Sequence, residues 1–287
     1  MWKAGLERRL DAVRLHPTCG RLEGALREFG SLILPTECVV CELPDNSLCA
    51  GCAATLRRAT VRPFRAEQGA EALPEAVCGL GAGGPDADGF SPLPVVAAGS
   101  YARALSAALL AFKNHGHTDI GRWLQAALAG ALHEARGTLC AEAAEVLLVP
   151  VPARGASTRR RGYDPLSLLL GGLDRRAELP AGTSVAAAVR IGWRPRTAWT
   201  LTSGGRTQKA LGRQGRRQNL VGSMEAAPLM RLISPGRACL IVDDVLTTGA
   251  TIAETARVLR NAGAVVSGAV VIAATPAPRG KENGSAR

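Results

Sequence analysis

Residues 239–251 read Cys-Leu-Ile-Val-Asp-Asp-Val-Leu-Thr-Thr-Gly-Ala-Thr. The apolar run at the start predicts a buried strand, which leads into two acids and then a turn of small, hydroxyl-bearing residues. After the turn, apolar residues recur at helical spacing over 252–262, and Gly263 follows where a helix C-cap would lie. The sequence therefore predicts the order strand, turn, helix, which is the local order at the ligand sites of open α/β sheets.

The predicted turn has the chemistry of a phosphate site. The start of a helix presents unpaired backbone N–H groups and the positive end of the helix dipole, and the threonine hydroxyls are further donors. The candidate phosphate-binding residues are Thr247, Thr248, Gly249, Ala250 and Thr251. Asp243 and Asp244, at the carboxyl end of the strand, can accept hydrogen bonds from vicinal sugar hydroxyls. A phosphate and a diol together indicate a phosphorylated ribose.

The alternative is a buried strand followed by a threonine-rich N-cap that binds nothing, since threonine often caps helices. Two adjacent acids favour the ligand site, because an ordinary cap does not require them. The Gly-x-x-x-x-Gly-Lys-Ser/Thr loop does not occur in the sequence, so nucleoside triphosphatase chemistry has no support.

Four of the eight cysteines form two closely spaced pairs, Cys38-Val-Val-Cys41 and Cys49-Ala-Gly-Cys52. Four thiolates at this spacing can close a tetrahedral zinc site, and an all-cysteine site is the structural type, which has no open position. We therefore expect a structural zinc ion on Cys38, Cys41, Cys49 and Cys52, without a catalytic role. Buried cysteines beside a hairpin, or a redox Cys-x-x-Cys pair, are the alternatives.

The net charge of the 287-residue chain is +11, and it is concentrated in one segment. Residues 151–220 hold 13 Arg and one Lys against three acids, so this segment carries the whole surplus. Such a segment can bind a polyanionic small ligand or a nucleic-acid backbone, or it can be a solvated basic surface.

Composition and patterning divide the chain into five segments. We expect a helical N-terminal extension over residues 1–30, the four-cysteine zinc module over 31–62, a linker rich in Pro and Gly over 63–94, the main domain over 95–276, and a disordered tail over 277–287. The sequence has no run of about 18 apolar residues and no signal peptide. We therefore expect no membrane span and a cytoplasmic location.

The main domain alternates apolar strands with helical segments. Strands are predicted at 95–100, 145–151 and 270–274, and helices at 101–113 and 120–135. Uninterrupted apolar strands are buried on both faces, which is typical of parallel sheets in α/β proteins. The predicted fold class is therefore α/β, with a mostly parallel sheet and helices on both of its faces.

The Asp-Asp and Thr-Thr-Gly-Ala-Thr pattern resembles the phosphoribosyl-pyrophosphate signature of type I phosphoribosyltransferases. Three further segments resemble the ComF-type proteins that are associated with bacterial competence. They are Ala98-Gly-Ser-Tyr101 with Ala111-Phe-Lys-Asn-His-Gly116, Val149-Pro-Val-Pro152 with Arg160-Arg-Gly-Tyr163, and Gln208-Lys-Ala-Leu211 with Arg216-Arg-Gln-Asn219. Over about residues 24–275, the resemblance implies a type I phosphoribosyltransferase-like fold with a small N-terminal zinc ribbon or knuckle module.

The resemblance also implies a ligand and residue roles. The ligand would be phosphoribosyl pyrophosphate with Mg²⁺, and Asp243 and Asp244 would be the catalytic residues. Arg154 and Arg161, in the pyrophosphate loop, would face the pyrophosphate and its Mg²⁺. Gln208, Lys209 and Arg216 would lie on a mobile loop that closes as a lid. Lys113 is a further candidate for contact with the leaving group, and the alternative is an exposed lysine at a helix end.

We therefore expect a phosphoribosyltransferase, an enzyme of the glycosyltransferase class, whose acceptor the sequence does not identify. The alternative is a non-catalytic factor that handles single-stranded DNA in DNA uptake and natural transformation, with DNA-uptake proteins as partners. Aromatic residues are only 3% of the chain, which weighs against a strand-binding surface built on stacked rings. Two residues depart from the family pattern: Asp164, where Asn is usual, and Met224, where Phe is common.

Overall fold

A computed structural model describes residues 37–76, 91–153, 162–192, 222–228, 230 and 235–276. Outside these residues lie the predicted N-terminal extension and C-terminal tail, the predicted mobile loop, and the site candidates Arg154, Arg161, Gln208, Lys209 and Arg216. The chain divides into two compact units, residues 1–52 and 53–287.

The first unit contains the four-cysteine segment, which is folded by backbone hydrogen bonds. The Cys38 N–H donates to the Leu43 carbonyl at 2.8 Å, and the Glu42 N–H donates back to the Cys38 carbonyl at 2.8 Å. The Val39 N–H donates to the Ser47 carbonyl at 3.1 Å, so the residues after the first cysteine pair fold back on it. Such reverse turns bring cysteines that are distant in sequence close together.

The described residues form eight strands. These are β1 (Phe64–Arg65), β2 (Val95–Ser100), β3 (Val146–Pro150), β4 (Thr183–Val185), β5 (Val189–Ile191), β6 (Met224–Ala226), β7 (Ala238–Leu246) and β8 (Val265–Ala274). The main sheet has the order β1-β2-β8-β7-β3-β4, in which only the β1–β2 pair is antiparallel. β5 and β6 pair antiparallel in a separate two-stranded sheet.

The described residues also form five α-helices. They are α1 (Ala50–Thr60), α2 (Arg103–Asn114), α3 (Gly121–Leu139), α4 (Pro165–Arg175) and α5 (Ala250–Asn261). α3 packs on β2, β8 and α4, whereas α5 packs on β7, β8 and the β5–β6 pair. β3 is buried at every residue, as a parallel strand between two helical layers must be. The predicted α/β architecture is therefore confirmed. Within the described residues, no helix combines the length and apolarity needed to cross a membrane.

The strand order places a crevice between β3 and β7. After β3 the chain continues to β4, which lies on one side of the β3–β7 pair. After β7 it continues to β8, which lies on the other side, so the two connections diverge at the β3–β7 pair. Pro150, the last residue of β3, lies opposite Val242 of β7. Open α/β sheets bind ligands outside the carboxyl ends of the strands at such a switch point. The two sequence segments that end here are Val-Pro-Val-Pro and Val-Asp-Asp.

Part of the segment predicted as a linker, residues 63–94, belongs to the sheet instead. β1 pairs with β2, with Phe64 opposite Ala97. Leu73 and Leu93 are 5% and 0% exposed. The frequent Pro and Gly interrupt the periodicity of this segment, yet they do not prevent the apolar residues between them from packing. The boundary between the compact units also falls after Cys52, ten residues before the predicted module end at residue 62.

Candidate functional site

Asp243 and Asp244 lie just beyond the end of β3. Pairing of β3 with β7 stops at Val242, whereas pairing of β8 with β7 continues past the acids to Leu246. The acids therefore sit within β7, two residues before its end, because β8 keeps the backbone extended there. Asp243 is 9% exposed, and its Oδ1 accepts the backbone N–H of Asp244 at 2.8 Å.

The buried position of Asp243 changes its acidity. Burial, followed by the neighbouring charge of Asp244, raises the pKa of Asp243 to about 7, while the Asp244 N–H and the Lys113 charge act in the opposite direction. An acid pair with such a pKa takes up a proton near neutrality. Folded and unfolded chains therefore bind different numbers of protons between the ordinary value of 3.8 and about 7.

This shift predicts that Asp243→Asn stabilises the ligand-free protein in a pH-dependent way. The folded chain keeps a proton that the unfolded chain releases, so the free energy of unfolding falls as the pH rises toward 7 and stays low above it. The gain in stability of the variant should be larger at pH 8 than at pH 5 by on the order of 2 kcal/mol, because pH 5 lies low in the window between 3.8 and about 7 and only part of the gain is present there. Thermal melts at both pH values measure the difference, with exposed Asp174→Asn as the control. An equal gain at both pH values would contradict the assignment.

Lys113 reaches the acid pair from the last turn of α2. Its Nζ forms an ion pair with Asp244 Oδ2, and the two side chains are 37% and 20% exposed. Lys113 is therefore a partly exposed lysine at a helix end, as the alternative has it, and its ammonium group also contacts the carboxylate predicted to hold the ribose. The sequence offered the position of Lys113 at a helix end, but not its partner, since that depends on where β2 and β7 lie in the sheet.

A second contact holds the same helix end. The Tyr163 hydroxyl donates to the Phe112 carbonyl, and the two rings meet edge to face with centroids 6.0 Å apart. Tyr163 follows the basic segment that comes after β3, so α2 connects that segment to the acids on β7. The family-like motifs around Phe112 and Tyr163 thus meet in space.

The turn after β7 has the conformation expected of an anion site. Gly249 has φ 82° and is the N-cap of α5, where it offers no side chain to cap the first turn. The N–H groups at the start of a helix lack carbonyl partners one turn back, so they remain donors for a ligand. The Thr248 Oγ1 accepts the Ala250 N–H at 3.4 Å, a long contact that a phosphate oxygen could replace.

The back of this turn is fixed by the segment predicted as linker. The Ala72 N–H donates to the Thr248 carbonyl at 2.9 Å. A Cβ at Gly249 would lie 2.7 Å from Leu73 Cδ2, so no larger residue fits without displacement. Sequence reasoning missed Ala72 and Leu73, because no local pattern links them to a turn more than 170 residues later.

The segment after β3 begins beside the acids. The Val151 N–H donates to the Val242 carbonyl at 2.9 Å, one residue before Asp243. Arg154 and Arg161 of that segment lie outside the described residues. At its far end, Asp164 caps α4: it accepts the Leu166 N–H at 3.2 Å and the Ser167 hydroxyl at 2.7 Å. An Asn can accept the same N–H, so this departure from the family pattern keeps the helix cap.

The other departure, Met224, lies on β6 against α5. The buried Glu254 carboxylate accepts the Met224 N–H at 3.3 Å, and the Thr255 hydroxyl lies 3.5 Å from the Met224 sulfur. Glu254 is also paired with Arg257 at 2.8 Å. The Met224 side chain is buried, so a flexible thioether in place of a Phe ring is a change of packing.

The second candidate site is formed by the four predicted cysteines. The sulfur atoms of Cys38, Cys41, Cys49 and Cys52 all lie within 4.8 Å of one another. The Cys41 and Cys49 sulfurs are 3.6 Å apart, close to the separation of about 3.8 Å that tetrahedral Zn–S bonds would require. The cluster can therefore hold a metal ion such as zinc.

The backbone N–H groups near the sulfurs and the pKa values of the thiols are also compatible with a bound cation. The Cys49 N–H points to Cys38 Sγ at 3.5 Å, and the Cys52 N–H to Cys49 Sγ at 3.5 Å. Burial disfavours the Cys38 thiolate, but backbone hydrogen bonds from Cys49, Val40 and Cys41 outweigh it and lower the pKa of Cys38 to about 6. Burial and the neighbouring sulfurs raise the pKa of Cys52 strongly. Four thiolates this close need a positive ion to ionise together.

Comparison with known proteins identifies one domain family and two named relatives. The phosphoribosyl transferase domain family matches residues 202–287. Competence protein F from Haemophilus influenzae is 30% identical over 169 residues, which are 59% of this chain and 67% of that protein. An adenine phosphoribosyltransferase from Mycobacterium marinum is 47% identical over 47 residues, which are 16% of this chain and 26% of that protein.

Among solved structures, the adenine phosphoribosyltransferase of Rhodothermus marinus is similar over 79% of this chain and 88% of its own, with 18% identity and a TM-score of 0.29. A TM-score this low carries no weight for the fold, which rests on the strand order and the domain match. The similarity to competence protein F extends over two thirds of the length of that relative. The chain therefore belongs to the ComF family and has a phosphoribosyltransferase domain.

Proposed function

We propose that this protein binds phosphoribosyl pyrophosphate with Mg²⁺ at the β3–β7 crevice and transfers its phosphoribosyl group to an acceptor. One observation carries the proposal. The acid pair, the N-terminus of α5 and the start of the Val-Pro-Val-Pro segment meet at the switch point of the sheet, with Pro150 opposite Val242. Each part suits a different portion of the ligand.

The 5-phosphate would bind at the turn before α5. There the first-turn N–H groups and the hydroxyls of Thr247, Thr248 and Thr251 are donors, and the helix dipole favours a dianion. Asp243 and Asp244 would accept hydrogen bonds from the ribose hydroxyls. The pyrophosphate would then extend toward the segment after β3, where Arg154 and Arg161 are the candidate partners.

The chemistry of transfer requires these contacts. The C1–pyrophosphate bond weakens before the acceptor bond is complete, so positive charge develops on the ribose and negative charge on the departing pyrophosphate. Ionised acids beside the ribose stabilise the first charge, and cationic side chains stabilise the second. Gln208, Lys209 and Arg216 are proposed as lid residues that exclude water, which would otherwise replace the acceptor.

Mg²⁺ would be bound mainly through the ligand. Among the described residues, the four cysteines are the one group of three or more metal-binding side chains within reach of a shared ion. Mg²⁺ prefers oxygen ligands and commonly uses substrate phosphates with one or two carboxylates. The ion would neutralise the pyrophosphate, while the acids of β7 serve the ribose.

For the four-cysteine cluster we propose a structural zinc ion. The sulfur separations match a tetrahedral site, and four protein ligands leave no position for water or substrate. The ion would then stabilise the short segment of residues 37–52, whose backbone hydrogen bonds alone are few. The proposed role is folding of this unit, without participation in the transfer reaction.

A second candidate function, handling of single-stranded DNA, is favoured by one surface feature that the sequence did not single out. The half-buried Trp123 ring has two exposed guanidinium groups near it, with Arg57 at 6.0 Å and Arg122 at 4.8 Å from its centroid. An aromatic ring beside cations is the usual combination for a nucleic-acid strand. The relative's name, competence protein F, is consistent with such a role.

Pyrophosphate release separates the two functions. Purified protein with Mg²⁺ and phosphoribosyl pyrophosphate should release pyrophosphate when offered the right member of a panel of purine and pyrimidine bases. Asp243→Ala with Asp244→Ala should abolish release, whereas Trp123→Ala should leave it unchanged. No release with any acceptor, together with DNA binding that weakens steeply with salt and with Trp123→Ala, would favour the second function.

A further inference from the structure

We propose that Lys113 is a positioning residue for ribose recognition: it holds Asp244 so that the acid pair presents two carboxylate oxygens to a vicinal diol. The inference deepens the proposed function and rests on it. Lys113 acts through Asp244, and its place is at the ribose end of the site. The leaving-group end, where the sequence suggested it, lies toward the segment after β3.

The contacts around the pair are complementary. Asp244 Oδ2 is engaged by the Lys113 ammonium group, and Asp243 Oδ1 is engaged by the Asp244 backbone N–H at 2.8 Å. One oxygen of each carboxylate is thereby fixed. The second oxygen of each carboxylate is then oriented as an acceptor, and two acceptors match the two hydroxyls of ribose.

Lys113 is itself well placed to hold this arrangement. It lies in the last turn of α2, where the negative end of the helix dipole favours an ammonium group. The neighbouring Phe112 carbonyl accepts the Tyr163 hydroxyl, so the helix end is anchored independently of the ion pair. The side chain is 37% exposed, and its replacement therefore leaves the buried side of α2 intact.

The charge of Lys113 has a second effect on the same carboxylates. Two acids on adjacent residues repel each other when both are ionised, and one of them is buried. The ammonium group offsets this repulsion and holds the Asp244 carboxylate in place. Without it, the carboxylate would be free to rotate, and the pair would lose the fixed geometry that distinguishes a diol from a single hydroxyl.

The test compares ribose 5-phosphate with 2-deoxyribose 5-phosphate, which lacks one hydroxyl. Calorimetry should show that the unaltered protein prefers the ribose ligand by about tenfold or more, as expected for a hydrogen bond to a charged group. Lys113→Met should reduce this preference to about twofold, mainly by weakening the binding of ribose 5-phosphate. Lys113→Arg should retain most of it. Arg103→Met, which removes an exposed cation at the other end of α2, should leave it unchanged.

Each other outcome overturns the proposal in a distinct way. If Lys113→Met weakens the binding of both sugar phosphates equally, Lys113 has no role in diol recognition. If Lys113→Met weakens the binding of inorganic pyrophosphate and leaves the preference for ribose 5-phosphate intact, Lys113 contacts the leaving group instead. If the unaltered protein binds neither sugar phosphate, the proposed function fails together with this inference. Circular dichroism of each variant confirms that the fold is retained.

Discussion

Replacing Cys49 with serine should reduce the bound zinc from about one ion per chain to near zero. Cys49 supplies one of the four clustered sulfurs, and its thiolate is also the acceptor of the Cys52 N–H. Structural zinc contributes about 10–16 kcal/mol to the folding of small zinc-binding peptides, so its loss should unfold the segment of residues 37–52. Elemental analysis measures the metal, and hydrogen exchange measures the unfolding.

The control for this variant is Cys140→Ala, which removes a buried thiol that is outside the cluster. Its metal content should equal that of the unaltered protein. In Cys49→Ser, the amides of Val39 and Glu42, which are hydrogen-bonded in the folded segment, should exchange quickly, while the amides of β7 remain protected. An unchanged metal content in Cys49→Ser would refute the zinc assignment.

Gly249→Ala should damage both stability and ligand binding. The position has φ 82°, which costs a residue with a side chain about 1 kcal/mol, and the new Cβ would meet Leu73 Cδ2 at 2.7 Å. Together with overpacking, the free energy of unfolding should fall by about 3 kcal/mol. Because the first turn of α5 is displaced, the affinity for phosphoribosyl pyrophosphate should fall by about tenfold or more.

Gly236→Ala is a matched control, because Gly236 has φ 81° but open space where its Cβ would be. It should cost only about 1 kcal/mol and leave ligand affinity unchanged. Leu73→Ala should be less harmful in the Gly249→Ala background than alone, since it removes the atoms that clash. Equal losses in Gly249→Ala and Gly236→Ala would show that the close approach of Leu73 has no effect.

Local sequence patterns were sufficient to predict the features whose residues lie close together in the chain. The apolar run before Asp243 predicted the strand, and helical periodicity predicted α5, which the structure gives as Ala250–Asn261. The paired Cys-x-x-Cys spacing likewise predicted the cluster of four sulfurs. Each of these features depends on residues within about one or two turns of one another, so their pattern is visible in sequence.

Contacts between distant segments could not be predicted in the same way. The pairing of Lys113 with Asp244 depends on α2 and β7 being brought together by the strand order. The packing of Leu73 on Gly249 falls in a segment whose Pro and Gly content indicated a linker. Both contacts concern the candidate site, and both require tertiary structure. The binding roles of Thr247 to Thr251 and of the two acids stay predictions.

The most direct test of the phosphoribosyl-pyrophosphate site is a calorimetric titration of that ligand, with Mg²⁺, into the unaltered protein and into the double variant Asp243→Asn with Asp244→Asn. The unaltered protein should bind with a dissociation constant of about 1–100 μM, within the range usual for enzyme substrates. The double variant should bind at least about 100-fold more weakly, because it loses two charged acceptors, and exposed Asp174→Asn should bind normally. Equal binding by the double variant and the unaltered protein, or no binding by either, would contradict the account.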